Sequence, residues 1–179
     1  MSGITAIERV GAAGAARRVV TGRSVEGRSV VASDASVEAI TLELMPGAAF
    51  HGLWASDESR AWFPPAGEIR FALVTIGPSH VAYPDDFDLE RALTEASEKL
   101  PGMVEVLEPD HPGMHTTATI DFVVLLQGEL VLELDDGEEV VLHAGEVVVQ
   151  NGTRHAWRNP GETPAVMAVT LVGAADSTT

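Results

Sequence analysis

The sequence predicts an all-β fold, a closed barrel or jelly roll of short strands with an N-terminal strand extension and one short helix. Short apolar runs recur through the second half of the chain, and turn signals such as Asp136-Gly137 and Asn151-Gly152 separate them. Many short strands at this spacing are typical of a sandwich or barrel. The single helical stretch does not alternate with strands, so a parallel βαβ sheet is not expected.

Composition indicates one domain with a substantial core. The chain has 179 residues, of which 45% are hydrophobic, which is enough for one compact domain. The absence of cysteine excludes disulfides, thiolate metal ligands and a thiol nucleophile. It also suits a reducing cytoplasm, which is the expected location.

Charge and hydropathy narrow the range of partners. The formal net charge of −16 would repel a phosphate backbone, so nucleic acid is not an expected partner. No apolar run approaches the ~20 residues that a membrane span needs, and the N-terminal segment lacks the continuous apolar run of a signal peptide. A small-molecule substrate is therefore the expected partner.

The chain divides into an arm and one domain. Residues 1–16 are expected to form a flexible N-terminal arm, and residues 17–179 a single domain. Within the domain we expect N-terminal strands in 17–84, a helix at about 85–100, and the barrel motifs in 115–172. Strands are expected over 37–45, 50–54, 69–76, 120–126, 129–134, 138–143, 146–150, 154–158 and 166–172.

The helix is predicted from its periodicity and its boundaries. Leu89, Leu93, Ala96 and Leu100 recur at helical spacing. Asp85 or Asp86 can cap the start of the helix, and Pro101-Gly102 can end it. Residues 103–114 are expected to form a connecting loop.

Polar residues share one face of the strand that opens the second half. Because side chains alternate along a strand, His115, Thr117 and Asp121 fall on the same side as the apolar Val123 and Leu125. On a later strand, His155 and Trp157 share a face. If the sheet curls, His155 can lie opposite His115 and Asp121, which would form a cavity with apolar walls and a polar focus.

The spacing of these residues resembles the two motifs of the cupin superfamily. His115 corresponds to the first histidine of the first motif, Asp121 to its acidic position and Gly128 to its closing glycine; Gly145, Gly152, His155 and Asn159 correspond to the second motif. Thr117 stands where a second histidine is usual, and aspartate replaces glutamate. Asn151 stands near the usual proline, with the turn one residue shorter. The resemblance implies a cupin-type double-stranded β-helix barrel, similar to small stand-alone cupins found near polyketide and aromatic-compound pathways.

The resemblance also implies a metal site. In cupins the residues equivalent to His115, Asp121 and His155 bind a divalent metal, which here could be Fe, Mn, Ni or Zn. Two imidazoles and one carboxylate make a facial triad with open positions. Alternatively, Asp121 only orients a histidine, and the His–Asp pair acts as a general base without metal.

Several further residues are candidates for the pocket. Thr117, Val123 and Trp157 would line it, although Thr117 and Trp157 also fit as ordinary strand or core residues. His51 and Trp54 belong to a segment that could cross the barrel mouth. Arg70 could hold a substrate carboxylate or lie on an exposed strand face, and we favour the exposed face. Asn159 is expected to close a turn before Pro160.

Three functions remain open. The first is a metal-assisted oxygenase, lyase or isomerase acting on a small carbonyl, enol or phenolic compound in secondary metabolism, with His115, Asp121 and His155 as catalytic residues. The second is a metal-free isomerase, cyclase or dehydratase that uses the same residues for proton transfer. The third is a non-catalytic cupin that binds a small ligand. Cupin barrels often pair their N-terminal strands between subunits, so the resemblance also implies a homodimer.

Overall fold

The computed structural model describes residue 10 and residues 14–175. Most of the predicted arm, residues 1–16, lies outside these residues. Within these residues there are ten strands: β1 (Ala16–Arg23), β2 (Ser29–Val37), β3 (Ala49–Ala55), β4 (Ile69–Ile76), β5 (Thr119–Gln127), β6 (Glu129–Glu133), β7 (Glu139–His143), β8 (Val147–Asn151), β9 (Ala156–Arg158) and β10 (Ala165–Gly173). Two helices, α1 (Leu89–Lys99) and α2 (Met103–Val106), and a 3₁₀ turn at Asp135–Gly137 lie in residues 14–175.

The strands form two antiparallel sheets and a separate hairpin. The larger sheet has the order β3-β4-β10-β5-β8, the smaller has the order β7-β6-β9, and β1 pairs with β2 in the hairpin. Leu132 of the smaller sheet belongs to the same buried cluster as Val123 and Val169 of the larger sheet. The predicted all-β, cupin-type fold is confirmed, with the core between the two sheets.

The alternation predicted for β5 is present and fixes which groups face inward. Thr119, Asp121, Val123 and Leu125 are buried, whereas Phe122 and Val124 are exposed and Ile120 and Leu126 are partly exposed. The inner side of β5 therefore runs from polar residues at its start to apolar residues at its end, as the sequence predicted.

The helix begins later than predicted. Asp88, and not Asp85 or Asp86, caps α1, and its carboxylate accepts a 3.0 Å hydrogen bond from the amide of Arg91. The buried side of α1 consists of Ala92 and Ala96, while Leu89 is 55% exposed. Residues 103–106, expected to be loop, form the short helix α2.

The N-terminal half departs from the prediction at residues 37–45. The predicted strand is reduced to one bridge between Ile40 and Phe50, followed by a turn in which the amide of Met45 donates to the carbonyl of Leu42. Leu42 is buried in the main core from this turn. Alternation alone could not separate a strand from a loop that packs its apolar residues inward.

Candidate functional site

Two histidines that are 40 positions apart in the sequence meet in the structure. The amide of His115 donates to the carbonyl of His155, and the amide of His155 donates to the carbonyl of His115, both at 2.9 Å. Their ring centroids lie 4.2 Å apart at an interplanar angle of 49°. The predicted convergence of these two imidazoles is therefore seen in the structure.

The two rings are oriented in the same way. Nδ1 of His115 lies 3.0 Å from the carbonyl oxygen of Gly113, and Nδ1 of His155 lies 2.9 Å from that of Thr153. Since a carbonyl can only accept, each Nδ1 carries the proton and donates it. Each Nε2 is then left with a lone pair that can accept a proton or bind a cation.

Both rings are held in the neutral form. Burial lowers the pKa of His115, and the bond to Gly113 only partly opposes this. For His155, burial and then the neighbouring His115 lower the pKa to about 4. Two adjacent imidazoles in a poorly solvated place cannot easily both be charged, so the pair is neutral near pH 7.

Asp121 is a buried carboxylate, and one of its two oxygens lacks the hydrogen bond that would offset its burial. It lies on the inner side of β5, its Oδ1 has no hydrogen-bond partner in the part of the chain that the structure describes, and it is only 6% exposed. Burial raises its pKa to about 6, although a hydrogen bond from Thr119 favours the ionised form. A carboxyl group with a pKa close to neutrality can either give or take a proton.

The hydroxyls of Thr117 and Thr119 continue this polar inner face. Their Oγ1 atoms are 2.8 Å apart, and both residues are buried. Thr117, which stands where a second histidine is usual, therefore directs its hydroxyl at a neighbouring threonine. Thr119 was not singled out from the sequence, although its parity with Asp121 was a sufficient signal.

These side chains do not assemble a complete metal site. In residue 10 and residues 14–175, no three histidine, cysteine, aspartate or glutamate side chains are grouped so that they could hold a metal ion. His115 and His155 could supply two Nε2 ligands, and the unpartnered Oδ1 of Asp121 has suitable chemistry. The third ligand is nonetheless not in place, so the residues as arranged do not fit the expected facial triad.

The walls next to the histidines are apolar. The ring of Trp157 approaches His155 edge to face, with centroids 5.9 Å apart, and Trp157 packs against the main core. Val123, which lies two residues beyond Asp121 on β5, is buried in the same core. Trp157 and Val123 therefore both pack with the main core, and their role as pocket walls stays a prediction.

His51 does not face the interior. It is fully buried, but its Nε2 lies 2.6 Å from the carbonyl of Gly14, and its neighbour Leu53 packs with Val10 and Ala16 in a second cluster. The preceding residue, Phe50, points into the main core. His51 is thus on the outer side of the larger sheet, beneath the N-terminal segment, and its predicted place in the pocket is wrong.

Trp54 also lies on the outer side. It is 52% exposed and pairs across the strands with Phe71, which is exposed as well. An irregularity between Gly52 and Trp54 shifts the register of β3 there. The predicted pocket role of Trp54 is therefore wrong.

Two other polar residues have structural partners. Arg70 is buried rather than on an exposed face, and it forms a 2.7 Å ion pair with Asp57 in the loop after β3. The side-chain amide of Asn159 donates to the carbonyls of Ile76 and Thr163, both at 2.9 Å. Asn159 therefore closes the turn that follows β9, as predicted.

Sequence reasoning missed an ionic cluster beside the histidines. Arg154 binds Glu108 through two hydrogen bonds of 2.6 and 2.7 Å, and Arg158 binds Glu133 at 2.7 Å. Both arginines flank His155 in the sequence. Their acidic partners lie 46 and 25 positions away, so no local pattern revealed the pairs.

Comparisons with known proteins bear on the same region. The Cupin_2 family model, described as a cupin domain, matches residues 103–172. The chain is 36% identical over 108 residues to Oryzines biosynthesis cluster protein J of Aspergillus oryzae, an alignment that covers 55% of this chain and 60% of that protein. It is 32% identical over 106 residues to the Cupin-domain-containing oxidoreductase srdB of Neurospora crassa, covering 56% of this chain and 54% of that protein. The chain thus spans little more than half the length of these relatives.

Among solved structures, the Schizosaccharomyces pombe Cnp3 cupin domain is similar at 11% identity with a TM-score of 0.49, covering 88% of this chain and 87% of that one.

Within the residues that the structure describes, no helix has the length and apolar character needed to cross a membrane.

Proposed function

Because this chain is a cupin-domain protein, with the domain matched over residues 103–172, we propose that it is a small-molecule enzyme of secondary metabolism. Its reaction centre is the pair His115 and His155 together with Asp121. The relative from Aspergillus oryzae is named for a biosynthesis cluster, which supports the metabolic setting. The reaction itself is proposed from the chemistry of the three side chains.

The proposed chemistry is proton transfer on a carbonyl, enol or phenolic compound. The observation that carries it is that both Nδ1 atoms are bonded to backbone carbonyls, so that two neutral Nε2 atoms remain as proton acceptors. A neutral imidazole can remove a proton from a substrate carbon, and a carboxyl with a raised pKa on the same inner face, here Asp121, can return a proton at another position. This is the requirement of an isomerase, cyclase or dehydratase that passes through an enol.

The charges support an uncharged substrate. Arg70, Arg154 and Arg158 are each bound to a carboxylate. Arg154 and Arg158, which flank His155 in the sequence, are therefore already neutralised, and neither guanidinium is a free partner for a substrate phosphate or carboxylate. A ketone or phenol needs no such partner.

Hydrogen exchange at a carbonyl compound tests this proposal. We would incubate 2-tetralone, an aromatic ketone with an enolisable position, in D₂O with the protein and follow loss of the α-proton signal by NMR. General base catalysis should accelerate exchange by about 100-fold or more over protein-free buffer. His155→Gln should lose most of this acceleration, and Arg91→Met, which removes a distant surface ion pair with Glu43, should retain it. Equal rates for wild type, His155→Gln and buffer would refute proton transfer on such ketones.

A metal-dependent oxidoreductase is the second candidate. The name of the Neurospora crassa relative favours it, and the two Nε2 atoms of the histidine pair would be the protein's imidazole ligands. Asp121 would have to move to complete the set. A bound divalent metal would supply Lewis-acid or dioxygen chemistry. Metal analysis of protein purified without an affinity tag separates the candidates: one equivalent of metal that is lost in His155→Gln supports the second, and its absence together with proton exchange supports the first.

We also propose that the protein is a homodimer joined through the outer face of the larger sheet. A row of side chains crosses all five strands on this face, in register: Trp54, Phe71, Thr170, Phe122 and Val149. The apolar members of the row are between 40% and 61% exposed. A continuous row of apolar side chains that is exposed to water favours a contact with another protein chain.

Area and charge favour a second copy as the occupant. Three half-exposed aromatic rings and the neighbouring valines present about 500–600 Å² per chain, so two such faces would bury about 1,000–1,200 Å², the lower range for a stable interface. The β1–β2 hairpin beside the face carries Arg17, Arg18, Arg23 and Arg28 against only Glu26 and Asp34, whereas the whole chain has a net charge of −16. A basic hairpin and an acidic remainder attract each other between copies, and a two-fold axis repeats the contact.

A further inference from the structure

The segment 107–115 is folded into a closed loop that ends at the first histidine. Leu107 and His115 form an isolated bridge, and the amide of Glu108 donates to the carbonyl of Met114 at 2.9 Å. The side chain of Met114 is fully buried and anchors the loop. The position of this loop determines where the ring of His115 lies.

The carbonyl that orients His115 belongs to this loop. Gly113 accepts the hydrogen bond from Nδ1 of His115, and its φ of +81° is one that side-chain-bearing residues rarely adopt. The orientation of the Gly113 carbonyl depends on the two peptide groups around it, the first of which includes the carbonyl of Pro112. The Gly113–Met114 peptide is also held by the amide of Met114, which donates to the carbonyl of His111 at 2.9 Å. The remaining constraint on the position of the His115 ring is whatever holds the carbonyl of Pro112.

Arg158 is the side chain that fixes it. Its Nη1 donates to the carbonyl oxygen of Pro112 at 2.6 Å, and its Nε donates to Glu133 at 2.8 Å. The second carboxylate oxygen of Glu133 lies 2.8 Å from Nε2 of His111, which is also in the loop. The guanidinium thus bridges a strand of the barrel and the loop with both of its ends engaged.

The glycine at position 113 makes room for this bridge. A Cβ atom built there would lie 3.1 Å from Nη1 of Arg158, which is tighter than ordinary contact. A side chain at this position would therefore push the guanidinium away as well as strain the backbone. The lack of a side chain at Gly113 therefore leaves the space that the guanidinium of Arg158 occupies.

We propose that Arg158 is a positioning residue that sets the tautomer and orientation of His115 by holding the Pro112–Gly113 peptide. This rests on the proposed role of His115 as a proton acceptor. The proton acceptor is thus prepared by Arg158, a side chain that binds the loop and Glu133 and not the histidine rings. His155 has a separate arrangement, because its Nδ1 donates to Thr153, and it does not depend on Arg158 for its tautomer.

The tautomers can be read directly in the free protein, without substrate. We would record long-range ¹H–¹⁵N spectra of the histidine rings at pH 8 for wild type and Arg158→Met. Wild type should show both rings as the Nδ1–H tautomer. In Arg158→Met the ring of His115 should move toward the Nε2–H tautomer, with its tautomer ratio shifted about fivefold by the weakened hydrogen bond, while His155 stays unchanged.

Controls separate positioning from general loosening. Arg91→Met removes a surface ion pair of the same type and should leave both rings as in wild type. If Arg158→Met does not fold, Arg158→Lys replaces it, because a single ammonium keeps the attraction to Glu133 and cannot bridge both partners. An unchanged His115, or equal changes in both rings, would overturn the inference. Because the spectra require no turnover, a failure of ketone exchange with the tautomer shift present would count against the proposed function alone.

Discussion

His115 and His155 bind each other through both backbone hydrogen bonds at 2.9 Å, and their rings stack at a tilt with centroids 4.2 Å apart. The backbone pairing forces the two imidazoles together whether or not a cation lies between them. Their mutual proximity therefore has an electrostatic cost whenever either ring is protonated, and this cost makes the fold sensitive to acid.

The first prediction concerns His155 and stability in acid. Its pKa falls from 6.5 to about 4 on folding, so the unfolded chain takes up a proton before the folded one does. The stability contributed by the neutral ring is fully present above pH 6.5 and is lost as the pH falls towards 4. Between pH 8 and pH 5 the loss should be about 2 kcal/mol.

Urea denaturation of wild type and His155→Gln at the two pH values checks this. The gap between the two unfolding free energies should change by about 2 kcal/mol in favour of the variant at pH 5. A gap that stays constant would mean that the ring is solvated in the folded protein.

The second prediction concerns Asp121, whose effect has the opposite sign. Burial raises its pKa from 3.8 to about 6, so the folded state holds its proton more tightly. Its contribution to stability is complete below pH 3.8 and is lost as the pH rises through 6. Asp121→Asn mimics the protonated form, so the variant should gain stability relative to wild type by about 1–2 kcal/mol on going from pH 5 to pH 8.

Asp34 supplies the matched control for this measurement. It is an exposed carboxylate paired with Arg17, and Asp34→Asn should show no such gain over the same pH range. If Asp121→Asn were equally destabilising at both pH values, the carboxyl would be ionised and paired in the folded protein at pH 5.

The alternation of side chains along a strand was sufficient to predict which residues of β5 face inward, but it was not sufficient for β3. On β5 the polar and apolar residues alternate with exposed positions, so Asp121 and Val123 could be placed inside before the structure was known. On β3 both Phe50 and His51 are buried, because the N-terminal segment covers the outer side of that strand. An alternation argument assumes that one face is solvated, and it fails where a distant segment covers that face.

The partners of the arginines were beyond prediction for a different reason. Arg70 meets Asp57, and Arg158 meets both Glu133 and the Pro112 carbonyl. Arg70 and Asp57 are brought together by the loop between β3 and β4, whereas Arg158 and its partners are brought together by the pairing of β9 with β6 and by the return of the loop before β5. His115 lies beside His155 because their two segments pair, and that contact could be anticipated from the strand parity of the two residues together with a curled sheet.

The third prediction concerns the outer face of the larger sheet. Light scattering of wild type should give twice the chain mass of 18.9 kDa. Phe122→Ser together with Val149→Ser removes two adjoining apolar side chains that are 51% and 61% exposed, and should shift the mass to that of a single chain. These positions are exposed in the single chain, so the fold should be unaffected.

Val141 provides the control for the interface. It is also 51% exposed, but it lies on β7 in the smaller sheet. Val141→Ser should retain the wild-type mass. A wild-type protein with the mass of one chain, at concentrations up to those of the NMR experiments, would refute the proposed dimer.

The fourth prediction concerns the end of β10, where the larger sheet meets the loop before β4. The amide of Gly173 donates to the carbonyl of Glu68, and the carbonyl of Gly173 accepts from the amide of Gly67, both at 2.9 Å. A Cβ at this position would lie 1.9 Å from the carbonyl oxygen of Pro65, which is a backbone atom and cannot move alone. Gly173→Ala should therefore break this pairing and lower the free energy of unfolding by about 3 kcal/mol.

Gly52→Ala, on β3 of the same sheet, is the control. A Cβ there would meet no described atom within 4 Å, so the substitution should change the free energy of unfolding by less than about 0.5 kcal/mol. Thermal unfolding of both variants measures the difference, and equal melting temperatures would show that the loop before β4 is not packed on the end of β10.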